Sequence, residues 1–138
     1  MLYDYEKERR EALQAGYRAL DSLKRAASDL ESARGWGVFD MLGGGLIATL
    51  AKRSKMDSAK ENMEQARYDL QRFGNELRDI EMSCNLNLQT EDFVSFADWF
   101  FDGFFVDWMV QDRINSARES VNDAICRVEA VLRRLELG

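Results

Sequence analysis

Apolar residues recur along the chain at alternating steps of three and four in three separate stretches. Leu13, Gly16, Leu20, Leu23, Ala27 and Leu30 form the first stripe, with Tyr17, Ala26 and Ala33 at its flanks. Ala59, Met63, Ala66, Leu70, Phe73, Leu77, Ile80 and Cys84 form the second. Val110, Ile114, Ala117, Val121, Ala124, Val128, Val131 and Leu135 form the third, widened by Ile125 and Leu132. A 3.5-residue period held over three to four heptads is the mark of helices packed lengthwise. The positions between are rich in Glu, Lys, Arg, Asp and Gln, as a solvated face requires. The pattern predicts an all-α protein of three long antiparallel helices, over about 3–34, 55–84 and 104–136, packed as a coiled-coil-like bundle.

Boundary signals refine this. Gly35 reads as the stop of the first helix. Ser54-Lys55-Met56-Asp57 reads as a capping box that starts the second, with Ser54 as N-cap. Asn85 to Gln89 breaks the second stripe, and Thr90-Glu91-Asp92 reads as an N-cap followed by first-turn acids. Short helices are therefore expected in both connections, over 46–53 and 91–102. The apolar line Phe93, Phe96, Phe100, Phe104 and Trp108 runs out of step with the third stripe by one position. A bend near Asp102-Gly103 and a repacking over 103–110 follow.

Composition supports a single helical domain spanning 1–138. The 138 residues include no Pro and no His, and 46% are hydrophobic. Without Pro the commonest helix breaker is missing, and the apolar content is too high for a disordered chain. Without His the commonest general base and a favoured metal ligand are missing too. Two cysteines make neither a zinc pattern nor a disulfide framework, so a reducing, cytoplasmic location is expected, with both thiols read as small buried hydrophobes. No stretch reads as an export signal or a membrane span, because Asp98, Asp102 and Asp107 interrupt the most apolar run.

The connections carry the unusual features. Residues 35–54 hold one acid, Asp40, and two bases, Lys52 and Arg53, among many apolar residues. Residues 84–108 hold five acids and no base among a dense aromatic set, so they account for nearly all of the net charge of −6. An acidic aromatic segment disfavours nucleic acid and anionic membranes, so neither nucleic-acid binding nor membrane insertion is expected. So much apolar surface needs cover, either within the chain or on a partner. The leading expectation is a non-enzymatic protein acting through contact with another protein or with itself as a homodimer. Trp36, Phe39, Met41 and Leu42 would be anchors on one side, and Phe96, Trp99, Phe100, Phe104 and Trp108 on the other. Basic residues of the first connection and acids of the second suit two chains pairing head to tail.

An alternative expectation is a small-ligand or anion-binding sensor built on Asp40, Gly43, Gly44, Gly45, Lys52, Arg53 and Lys55. Backbone N–H groups after a glycine run can hold an anion at a helix start. The run lacks the Lys-Ser/Thr ending of a phosphate loop, and such glycines more often permit a tight reversal. Asp98 and Asp102, four apart, share a helix face, but no third ligand accompanies them, so no metal or other cofactor is expected. No nucleophile–base constellation is visible, and no enzyme activity is expected.

Residues 33–59 are similar to a stretch found in a family of bacterial helical proteins of unassigned activity. The shared pattern is Trp-Gly, Asp, three Gly, Lys-x-Ser-Lys, then Asp and Ala. Trp36, Gly37, Asp40, Gly43, Gly44, Gly45, Lys52, Ser54, Lys55, Asp57 and Ala59 carry it, while Arg53 stands where the family more often has His. The resemblance covers about a fifth of the chain and implies no substrate or cofactor. It places weight on the first connection as the functional end.

Overall fold

The structure, a computed structural model, describes residues 5–39, 43, 45–84, 88–104 and 114–137, and the side chains of 36–39, 84, 103, 104 and 114 lie outside that description. Helix α1 spans Tyr5–Phe39, α2 Gly45–Cys84, α3 Thr90–Trp99 and α4 Ile114–Leu137. A π-helical turn, Phe100–Phe104, continues α3. The described residues form an all-α bundle.

Named contacts fix the directions. Ser22 meets Asp69, and Asp29 meets Ser58 and Asn62, so α1 and α2 are antiparallel. Arg118 pairs with Glu31 and Arg9 reaches Leu135, so α4 is antiparallel to α1 as well. Helix α3 lies against both α2 and α4. Phe93 meets Phe73 edge-on with ring centroids 5.5 Å apart, and the Arg127 guanidinium sits 4.2 Å from the centre of the Phe96 ring. The short helix thus fills a fourth position along one part of a three-rod bundle.

The predicted stripes are the core. Ala59, Met63, Ala66, Leu70, Phe73, Leu77 and Ile80 of α2 are buried, as are Ala117, Val121, Ala124, Val128, Val131 and Leu135 of α4. On α1 the buried line is rotated towards Ala12, Ala19, Ala26 and Ala33, seven apart and all fully buried, while Leu13 and Ala27 sit at its edge. Small side chains at a seam let helix axes approach towards the lower end of the ~8–10 Å range. Gly16 belongs to the same logic. A Cβ there would lie 2.6 Å from Leu132 Cδ2 and 2.8 Å from Phe73 Cζ, so only hydrogen fits.

Several boundaries differ from the sequence expectation. Helix α1 continues through Gly35 and Gly37 to Phe39, because a helical glycine costs only about 1 kcal/mol and does not by itself end a long helix. Helix α2 starts at Gly45, so the expected short helix 46–53 is its first part and Ser54 caps nothing. The reason is register. Met56 carries the core line upstream of Ala59, and Ala48 is buried on the far side of Ser54, so burial continues past the capping signal. Thr90 is the first residue of α3, not its cap, and Gln89 takes the preceding position with φ 54°. At the expected bend near Asp102 the chain leaves α geometry for the π turn. The wider turn accommodates both Phe100 and Phe101 on the buried side, where their rings meet edge-on at 5.1 Å. The last helix is described from Ile114 rather than 104; residues 105–113, which include Trp108 and most of the expected repacking, lie outside the described residues. Cys126 is exposed, because it falls on the solvent side of α4 beside the half-buried Ile125, and the reading of it as a buried hydrophobe is corrected.

Candidate functional site

The α1–α2 hairpin ends at the glycine run. Gly43 and Gly45 have φ of 98° and 69°, the left-handed region where a Cβ is strained, so these two glycines are there to reverse the chain. Gly44, Asp40, Met41 and Leu42 lie outside the described residues, and of Trp36 and Phe39 only the helical backbone is described. The next residues define a surface. Leu46, Ile47 and Leu50 are 74%, 75% and 55% exposed. Their spacing puts them on one face of α2, opposite the buried Ala48. Arg53, Ser54 and Asp57 continue the same exposed face, while Lys52 and Lys55 are half-buried on other sides of the helix.

This face projects. Glu31 pairs with Arg118 on α4, and Asp29 with Ser58 and Asn62 on α2. At 1.5 Å per residue, these pairings put Leu46 roughly 12 Å beyond Ile114, the first described residue of α4. Among the described residues, three large aliphatic side chains thus stand where α1 and α2 run on past the start of α4.

Sequence reasoning expected anchors in both connections and named Trp36, Phe39, Met41 and Leu42 in this one, not Leu46, Ile47 and Leu50. The signal was present: the 46, 47, 50 spacing falls opposite the Ala48–Met56 core line. It becomes readable only once the helix is known to begin at Gly45.

The second predicted cluster divides. Phe100 is 1% exposed, stacked near Phe96 at 5.9 Å between ring centroids, and serves the chain's own core. Phe96 is half-buried under Arg127. Trp99 is 59% exposed. It lies on the outer face of α3 and its π-helical continuation with Glu91, Asp92, Ser95, Asp98 and Asp102, all exposed. Arg78 and Arg67 of α2 reach the two ends of this face, pairing with Glu91 at 3.2 Å and Asp102 at 3.6 Å. The side chain of Phe104 and all of Trp108 lie outside the described residues.

A third cluster was not foreseen. Carboxylate oxygens of Glu8 and Glu11 on α1 and Glu76 on α2 lie within 4.8 Å of one another, all three residues half-buried. Burial pushes the Glu76 carboxyl up from its ordinary value, and the charges of Glu11, Glu8 and Asp79 push the same way against the opposing effect of Arg72. Like charges drawn together by an interface explain it.

Three cavities are lined by described residues. An open groove of about 700 Å³ runs along α1 beside Leu13 and Tyr17, and smaller ones lie between α3 and α4 and between α2 and α3. None of these three is lined by Gly43, Gly45, Lys52, Arg53 or Lys55. Among the described residues, no helix is long and apolar enough to cross a membrane. No family model, no curated protein and no solved structure matches this chain.

Proposed function

We propose that the chain is a non-enzymatic, cytoplasmic helical protein that works by protein–protein contact, with the end of the α1–α2 hairpin as its principal docking surface. The observation that carries this reading is the shared exposure of Leu46, Ile47 and Leu50 on one face at the start of α2. Scattered surface leucines need no explanation, but three adjacent aliphatics on one helix face are a ready anchor for a partner. The face belongs to a long helix anchored further along, where core positions run from Met56 to Ile80 on α2 against Ala12 to Ala33 on α1. An exposed free thiol at Cys126 suits a reducing compartment.

The test is site-specific photo-crosslinking in the native cell. A photoreactive residue in place of Leu50 is expected to give discrete protein adducts, and one in place of the exposed Glu61 on the same helix to give none. Equal labelling from both positions, or no adduct from Leu50, removes the hairpin end as a docking surface.

A further inference from the structure

Building on the docking surface just described, we infer that the partner is a second copy of this chain, whose α3 outer face receives the hairpin end in an antiparallel, two-fold symmetric dimer. The two surfaces are complementary in both respects that matter. One is aliphatic and basic: Leu46, Ile47 and Leu50 lead directly to the exposed Arg53. Lys52 and Lys55 are half-buried on other sides of the helix and Asp57 lies a full turn further along the same face, so Arg53 is the charge next to the aliphatic group. The other is aromatic and acidic: the exposed Trp99 is flanked by Asp92, Asp98 and Asp102. Apolar groups at the centre with opposite charges at the rim are what fix register and partner choice at an interface.

Within one chain the surfaces cannot meet. The Arg67–Asp102 pair places the end of the α3 segment beside residue 67 of α2, 17 positions from Leu50. At 1.5 Å per residue that is roughly 25 Å along a rigid helix. Two chains lying antiparallel bring each hairpin end to the other's α3, and a two-fold axis between them makes both contacts together. The doubling matters for size. Three aliphatic side chains and one indole are small against the ~800 Å² per partner of a standard interface, and two such contacts with the ground between them come closer to it.

The experiment uses the full chain and sedimentation equilibrium from low to several hundred micromolar. A reversible dimer is expected. Arg53→Glu and Asp98→Arg are each expected to weaken it by about tenfold, and the double variant, with both charges exchanged, to recover most of the loss. In a background lacking Cys84 and Cys126, mixing a Leu50→Cys chain with a Trp99→Cys chain should give a covalent dimer on oxidation, and neither alone should. A Leu50→Cys chain that cross-links to itself shows tip-to-tip pairing and overturns the inference. A wild-type chain that stays monomeric throughout also overturns it. If that monomer still gives adducts with another protein from Leu50 in the cell, the docking surface stands with a different occupant; if it gives none, both fall.

Discussion

Gly16 shows how finely this seam is packed. It sits where α1 meets both Phe73 of α2 and Leu132 of α4, with no room for a methyl group. Alanine gains about 1 kcal/mol over glycine in a helix interior, but an added methyl in a full core costs roughly 1–3 kcal/mol. The Phe73 ring is fully buried and has nowhere to go, so overpacking wins. Gly16→Ala is expected to lower the melting temperature, and Gly16→Leu to lower it much further, by calorimetry at matched concentration. The opposite sign would mean that the three helices are not held as closely as Ala12, Ala19, Ala26 and Ala33 permit. Glu76 offers a residue-scale prediction with a pH signature. Its carboxyl is raised in the folded state by burial and by Glu11, Glu8 and Asp79. The folded chain therefore binds a proton there more readily than the unfolded chain does. That contribution to stability is fully present at acidic pH, below the unfolded value, and is lost as pH rises through the raised folded value. Glu76→Gln, which keeps the shape without the charge, is expected to melt higher than wild type at neutral pH. The difference should shrink on acidification, as wild-type Glu76 takes up its proton. A difference independent of pH would mean that the amide acts by some route other than charge.

At the scale of elements, the interior of each rod was legible and its ends were not. Heptad spacing found the buried apolar side chains of α2 from Ala59 to Ile80 and those of α4, because burial along a packed helix imposes the period directly. Ends are set by tertiary contacts that local rules do not contain. Ser54 has the local features of a cap, yet Ala48 is buried upstream of it and the helix runs back to Gly45. The start of α3 is a sharper case. Its first turn is held by Glu81, a residue of α2, whose Oε2 accepts the Leu88 N–H at 2.8 Å, the Thr90 hydroxyl at 3.0 Å and the Thr90 N–H at 3.4 Å. No spacing rule assigns a cap to a residue nine positions upstream on another helix. Thr90 is fully buried, so losing the carboxylate leaves a buried hydroxyl without its acceptor. Glu81→Ala is expected to destabilise by about 1–3 kcal/mol and to speed amide exchange in α3 more than in α1 or α2. Uniform exchange across all helices would show that α3 does not depend on this clasp. Of the candidate surfaces, Trp99 and Arg53 were named from the sequence and Leu46, Ile47 and Leu50 were not: composition marks where apolar and charged groups collect, while the helix start decides which of them face outwards.

Across the whole molecule, the arrangement separates what holds the fold from what is left for contact. Arg9 of α1 donates to the carbonyls of Leu135 and Glu136 at 2.9 and 2.6 Å, and Tyr17 donates to the Glu136 carboxylate, which ties the end of α4 to the first turns of α1. These bonds occupy carbonyls that a helix C-terminus otherwise leaves unpaired. At the opposite end, the Leu46, Ile47 and Leu50 side chains remain largely in water and contribute little to folding. Replacing all three by Ser should therefore change the stability of the isolated chain by no more than ~1–1.5 kcal/mol, most of it helix propensity. A single truncation of comparable apolar size in the core, Met63→Ala, is expected to cost ~2–5 kcal/mol. Circular dichroism melts at low micromolar concentration check both, with helical content unchanged in the triple variant. The contrast is the useful quantity. If the triple-Ser chain unfolds as readily as Met63→Ala, these side chains are holding the hairpin together rather than standing free, and a docking role for them loses its footing. If it melts close to wild type, any association it has lost can be assigned to the surface itself and not to a damaged fold.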